Sequence, residues 1–346
     1  MTEAVRVLVV DDAAFMRRTL VKLLRQDPNV VVVGEARNGR EAIDLFNATR
    51  PDVICLDVDM PEMDGMTALK HFMSTRPTPI VVVSSMTDRE NVPFELFRLG
   101  AIDFFPKPSS LVGAVEDQTR LLLYLIRNAR NVQVDNLLRV PLYPTCVSGV
   151  VSDGLRHLLV IGGALGSVGA LIRFLALLPP RTHDGVGMLC MVPLQDAIGA
   201  SFQNSLSALF GWETRWLDES LTLRGGQVCL VNPRSRIRIS GRTNLELQGE
   251  TEHALDELFS AVGAELGSEA TVILLAGSEP HGVAGLSSAA SAGSHCFVQD
   301  PKTALFSTWQ PEVPEGVVLL DLESVAATVL GCLSRSAAGS AHEETR

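Results

Sequence analysis

Val5-Arg6-Val7-Leu8-Val9-Val10-Asp11-Asp12 is an apolar run of strand length that ends in two acids. Four similar runs follow, at Val30–Val33, Val53–Leu56, Ile80–Val83 and, shorter, Asp103–Phe105. Between them the apolar residues fall at helical spacing: Phe15, Leu20, Leu23 and Leu24 share one face, and Ala42, Ile43 and Phe46 share another. Strands that are apolar throughout and alternate with helices predict a parallel sheet covered on both faces.

Five such units fit the flavodoxin-like version of the doubly wound α/β fold, in which ligands gather at the carboxyl ends of the strands. Three acids arrive there: Asp11 and Asp12 after the first strand and Asp57 after the third. Clustered carboxylates repel one another unless a cation sits between them. A set of oxygen ligands with open positions suits Mg²⁺, which keeps waters and also binds phosphate. One carboxylate can then attack a phosphoryl group and become an aspartyl phosphate, while the cation neutralises charge on the transferring oxygens. The fourth strand ends at Ser84, a hydroxyl able to bond a phosphoryl oxygen, and the fifth leads through Phe104-Phe105-Pro106 to Lys107, a cation at the same rim.

An Asp pair, an Asp, a hydroxyl and a Lys-Pro in this order resemble the response-regulator receiver family. The resemblance implies that Asp57 is the phosphoacceptor and that Asp12 and Asp57, beside Asp11, bind the metal. It also implies that Asp59 lends its backbone carbonyl, and that Ser84, Phe104 and Lys107 form the switch, with Phe104 as its aromatic. Met60-Pro61-Glu62-Met63-Asp64-Gly65 matches the family's turn after the acceptor.

Residues 1–130 are therefore expected to form the receiver, closed by a helix over Leu111–Arg130. Residues 131–155, with Pro141, Pro144, Ser148 and Gly149, read as a linker. A second alternating pattern fills residues 156–335, with strands at Leu158–Ile161, Met188–Val192, Gln227–Val231 and Val272–Leu275 and a helix at Ser167–Leu178, so this domain is α/β as well. The polar, small-residue stretch 336–346 reads as a disordered tail.

The second domain resembles the catalytic domain of CheB-type chemotaxis methylesterases. So does the receiver, in Asp12-Ala13-Ala14-Phe15-Met16-Arg17-Arg18, Val83-Ser84-Ser85-Met86-Thr87 and Leu99-Gly100-Ala101-Ile102-Asp103-Phe104. That family hydrolyses glutamate methyl esters on chemoreceptors and deamidates receptor glutamines with a serine, a histidine and an aspartate. Its serine lies in a Gly-Ala-Ser-Thr-Gly-Gly turn; here the turn reads Gly162-Gly163-Ala164-Leu165-Gly166-Ser167, which puts Ala164 at the nucleophile. Its histidine follows a strand in Gln-His-Met-Pro; here Met191-Val192-Pro193-Leu194 puts Pro193 there, and no histidine occurs between His183 and His253. Its aspartate lies in Thr-Gly-Met-Gly-x-Asp-Gly; the run Ala276-Gly277-Ser278-Glu279-Pro280-His281-Gly282 puts His281 there. Leu255-Asp256-Glu257-Leu258-Phe259 and Val298-Gln299-Asp300 keep the family outline. Ala164 has no nucleophilic atom and proline no base, so the triad is degenerate and the domain is expected to be catalytically impaired. Ser167, three residues on, is expected to cap the following helix. The alternative is a relocated methylesterase site built from Ser167 and His281, which requires the two within hydrogen-bond reach.

The resemblance implies a CheA-type histidine kinase as phosphodonor and chemoreceptors as partners. The net charge of −11, without a basic run, argues against nucleic acid. Apolar stretches break well before the roughly 18 residues of a membrane span. The six cysteines are scattered and sit mostly in apolar runs, as expected of buried thiols in a reducing compartment. Met1-Thr2-Glu3-Ala4 leads directly into a strand, and a cytoplasmic location is expected.

Overall fold

The computed structural model describes residues 4–84, 92–107, 115–137, 151–152, 154–179, 184–194, 196–279, 281–306 and 312–343. It divides into two compact units, Met1–Arg139 and Val140–Arg346.

In the first unit, strands β1 (Val5–Val10), β2 (Val30–Ala36), β3 (Val53–Asp57), β4 (Ile80–Ser84) and β5 (Asp103–Pro106) alternate with helices α1 (Ala14–Leu24), α2 (Gly39–Thr49), α3 (Gly65–Thr75), α4 (Val92–Arg98) and α5 (Val115–Ala129). The sheet is parallel in the order β2-β1-β3-β4-β5. This is the doubly wound arrangement expected from the sequence. The inner strands β3 and β4 are largely apolar because helices cover both faces: every residue of β3 is buried, and so are Ile80, Val81, Val82 and Val83 of β4. Side chains that accept the first free amides start two of the helices. Asn38 Oδ1 accepts the Glu41 amide at 2.8 Å for α2, and Asp64 Oδ1 accepts the Thr67 amide at 2.7 Å for α3. Part of the expected closing helix, 111–114, and most of the expected linker, 138–150, lie outside the described residues, as do Ser85, Met86 and Thr87.

The second unit holds a seven-stranded parallel sheet. Its strands are β6 (His157–Gly163), β7 (Val186–Met191), β8 (Glu213–Trp216), β10 (Gln227–Val231), β13 (Ala270–Leu275), β14 (His295–Gln299) and β15 (Val317–Leu320), in the order β15-β14-β13-β6-β7-β10-β8. Helices α6 (Ser167–Leu177), α7 (Asp196–Phe210), α8 (Ala254–Leu266), α9 (Val283–Ser291) and α10 (Leu322–Glu343) accompany it. Phe259, Val262 and Leu258 of α8 pack with Leu158, Val160, Val272 and Leu274 in one core. Beside it lies a small antiparallel sheet, β11-β12-β9, of Ser235–Ser240, Asn244–Glu250 and Ser220–Thr222. In β11, Ile237 and Ile239 face inward while Arg236 and Arg238 face out and pair with Glu257 and Glu246. The edge strand β15 leaves Val318 and Leu319 exposed.

Two differences from the sequence reading stand out. Helix α10 runs to Glu343, into the stretch 336–346 expected to be a disordered tail; Ala337, Ala338 and Ala341 are strong helix formers. The cap of α6 is Gly166, at φ 92, and not Ser167, which is already the first helical residue and makes no side-chain cap bond.

A buried acid gives the receiver a pH signature. Burial pushes the Asp103 carboxyl up from 3.8 to about 7, against a single backbone hydrogen bond from Phe104. The stability tied to its neutral form is complete below the ordinary 3.8 and is lost as pH rises through about 7. Asp103→Asn keeps the acceptor and cannot ionise. In thermal melts it is expected to stabilise the receiver more at pH 8 than at pH 5, with a ceiling of about 4 kcal/mol at the higher pH.

Candidate phosphoacceptor site and the rim of the second sheet

Strands β1 and β3 are hydrogen-bonded neighbours with Val10 opposite Leu56, so the residues that follow, Asp11 and Asp57, emerge side by side. Both are buried. Asp11 Oδ1 accepts the Ala13 amide at 2.9 Å, and Asp57 Oδ1 accepts the Asp59 amide at 3.3 Å. Arg17 Nη1 donates to the Asp11 carbonyl at 2.8 Å and holds the acidic loop from below. Lys107 follows β5; its amide donates to the Ser84 carbonyl at 2.8 Å, which ties the fourth and fifth strand ends together. Its Nζ lies 2.9 Å from Asp11 Oδ2 and 2.6 Å from Asp57 Oδ2. Asp12, exposed, completes a group in which one oxygen from each of Asp11, Asp12 and Asp57 lies within 4.8 Å of the others.

The charge balance is uneven. Three carboxylates face one ammonium, so two negative charges remain unmatched at this rim. Burial pushes the Asp57 carboxyl up from 3.8 to about 6; Lys107 opposes the rise and the neighbouring Asp11 adds to it. Burial also raises Asp11. Desolvation alone lowers the Lys107 ammonium, but hydrogen bonds and charge from Asp57 and Asp11 outweigh it and hold it above its ordinary value. An all-oxygen cluster with excess negative charge and an exposed member open to water is consistent with a Mg²⁺ site. Phe104 is turned inward, with its ring 5.1 Å from that of Phe97. Asp11, Asp12, Asp57 and Lys107, all singled out by sequence reasoning, meet here. It misses Arg17 as the anchor of the loop, although the residue lies within a quoted motif.

The carboxyl ends of β6, β7 and β13 form the corresponding rim of the second unit. The turn after β6 packs tightly on the loop after β13: a Cβ on Gly277 would stand 2.9 Å from Ala164 Cβ, and the Ser278 amide donates to the Leu165 carbonyl at 3.3 Å. Ala164 is partly exposed, while Leu165, Val192 and Leu194 are buried, with Pro193 half-buried between the last two. Phe306 is fully buried, and its ring lies where a Cβ on Gly166 would be, at 2.5 Å. Ser167 is buried, and its Oγ has no hydrogen-bond partner among the described residues. His281 is exposed, with Nε2 2.5 Å from Glu279 Oε2. A hydrogen bond between Ser167 and His281 is therefore not formed. Pro280 lies outside the described residues.

Comparison with known proteins assigns a family to each unit. Residues 7–116 match the response regulator receiver domain family, and residues 159–326 match the CheB methylesterase family. A protein-glutamate methylesterase/protein-glutamine glutaminase of Thiobacillus denitrificans is 31% identical over 314 residues, 86% of each chain. That of Symbiobacterium thermophilum is 31% identical over 324 residues, 87% of this chain and 88% of the relative. The first such protein of Oleidesulfovibrio alaskensis is 27% identical over 369 residues and spans 95% of this chain and 99% of its own. With its receiver followed by a CheB methylesterase domain, the chain belongs to the protein-glutamate methylesterase/protein-glutamine glutaminase family of response regulators.

Proposed function

We propose that this chain is a chemotaxis-type response regulator phosphorylated on Asp57, whose second domain works by contact and is impaired as a hydrolase. The observation that carries the first half is the pairing of Asp57 with Asp11 and Lys107 at 2.6 and 2.9 Å from one ammonium, with Asp12 alongside. With its pKa raised to about 6, Asp57 is ionised at neutral pH and can act as nucleophile. A carboxylate oxygen of Asp57 forms the new P–O bond, the P–N bond of a phosphohistidine breaks, and the imidazole leaves with that electron pair. Lys107 and the Ser84 hydroxyl take the phosphoryl oxygens. Asp11, Asp12, Asp57 and the Asp59 carbonyl would hold Mg²⁺, which when bound neutralises charge on those oxygens. The phosphodonor is a CheA-type histidine kinase and the partners of the second domain are chemoreceptors or the kinase assembly, both in the cytoplasm.

Three features support the impaired reading. Ala164 and Pro193 supply neither nucleophile nor base, and an oxyanion hole alone gives only a small part of such an enzyme's acceleration. His281 engages Glu279, and Ser167 Oγ has no hydrogen-bond partner among the described residues. Leu165, Leu194 and Phe306 fill the rim with buried apolar side chains.

Three measurements test this reading. Wild-type protein should be labelled by acetyl phosphate with Mg²⁺ and Asp57→Asn should not; label that persists in the variant refutes the assignment. Without Mg²⁺, the raised carboxyl of Asp57 costs stability once pH passes about 6. Asp57→Asn should then raise the melting temperature in chelator at pH 8, with a ceiling of about 3 kcal/mol that shrinks toward pH 4. Phosphorylated protein should release no methanol from methylated receptor, and Ala164→Ser alone should not restore release. Robust release that Ser167→Ala abolishes would establish the relocated esterase instead.

A further inference from the structure

We propose that Gly39, on α2, is a positioning residue for the chemistry at Asp57; this rests on the reading of Asp57 as phosphoacceptor. The segment from Asp57 to Gly65 carries both the nucleophile and Asp59. Its far end folds back onto its start. The Gly65 amide donates to the Val58 carbonyl at 2.9 Å, and a Cβ on Gly65 would stand only 2.0 Å from the Asp57 carbonyl oxygen. Its apex is a tight turn, with the Met63 amide donating to the Pro61 carbonyl at 2.7 Å and Glu62 held at φ 65. A non-glycine residue in that conformation needs the surroundings to hold it.

The apex is held from another helix. The Gly39 amide donates to the Met63 carbonyl at 3.0 Å. A Cβ on Gly39 would meet Met63 Cγ at 2.6 Å and the Met63 carbonyl oxygen at 2.9 Å. The first of these could swing away; the second is backbone and can give only if the loop moves. Gly39 is helical, so its conformation does not require glycine, and glycine is a poor helix former. What the position requires is close approach. The start of α2 is itself braced: Asn38 Oδ1 accepts the Glu41 amide at 2.8 Å, and Glu41 Oε2 accepts the Arg37 amide at 2.9 Å, a reciprocal cap. A displacement forced at Gly39 therefore passes to Met63 and along the segment to Asp59, whose amide bonds Asp57 Oδ1.

The experiment uses the full chain and compares wild type, Gly39→Ala and Ala48→Gly. The last weakens the same helix at an exposed position away from Met63. Mg²⁺ affinity is read by calorimetric titration, and the labelling rate with acetyl phosphate at saturating Mg²⁺, well below the melting temperature of each variant. Gly39→Ala is expected to weaken Mg²⁺ binding several-fold and to slow labelling by about tenfold, the scale of a sub-ångström misplacement of reacting groups. Ala48→Gly is expected to lower only the melting temperature. If Gly39→Ala matches Ala48→Gly in both readouts, Gly39 is merely structural and the proposal falls. If Gly39→Ala does not fold, Asn38→Ala takes its place, since it frees the brace without adding an atom at the contact. It should slow labelling relative to Ala48→Gly, and equal rates would overturn the proposal. Absence of label on the wild type would sink the Asp57 reading itself, and the Mg²⁺ titration would still decide the role of Gly39.

Discussion

Two buried carboxylates that repel each other, with one ammonium between them, govern the receiver. Asp11 and Asp57 are placed together by the register of β1 on β3, and among the described residues Lys107 is the cation paired with both. The surrounding structure holds that arrangement in place. Arg17 fixes the Asp11 loop, Gly65 closes the Asp57 loop on itself, and the Lys107 amide is pinned to the end of β4. Such a site is unsatisfied by design. It holds more negative charge than its own cation can match, which makes it receptive to a further cation.

Much of the receiver was legible in the sequence because its inner strands are apolar runs that lead into an acid or a hydroxyl. Val53–Leu56 leads to Asp57, and Ile80–Val83 to Ser84. Elements that announce themselves less escaped. Glu213–Trp216 has no apolar run, and Ser220–Thr222 is too short for a pattern. The alternation in Ser-Arg-Ile-Arg-Ile-Ser was there to be read, but arginines on one face and a small sheet set apart from the main one made it resemble a polar loop. Buried charges were invisible: nothing local distinguishes Asp103, fully enclosed, from an ordinary acid at a strand start. Ser167 shows the limit of cap rules. Its place after a glycine turn suggested a cap, but with Gly166 as the cap at positive φ the helix begins at Ser167, one residue earlier than a serine cap would set it.

The second unit separates scaffold from chemistry. Its parallel sheet and the core between α8 and the strands are intact, and the turn after β6 is still gripped by Gly277. At its rim stand Ala164, partly exposed, Pro193, half-buried, and the buried Leu165 and Leu194. Because the same turn is in contact with Gly277 on one side and Phe306 on the other, its residues answer to packing as much as to any ligand.

The outer strand of that sheet carries a consequence of a different kind. Strand β15 reads Val-Val-Leu-Leu, with neither charge nor proline, and it ends the sheet with Val318 and Leu319 open to solvent. Edges of this composition are templates for pairing with any other extended chain. The strand lacks the lysine or proline with which other sheets guard their borders.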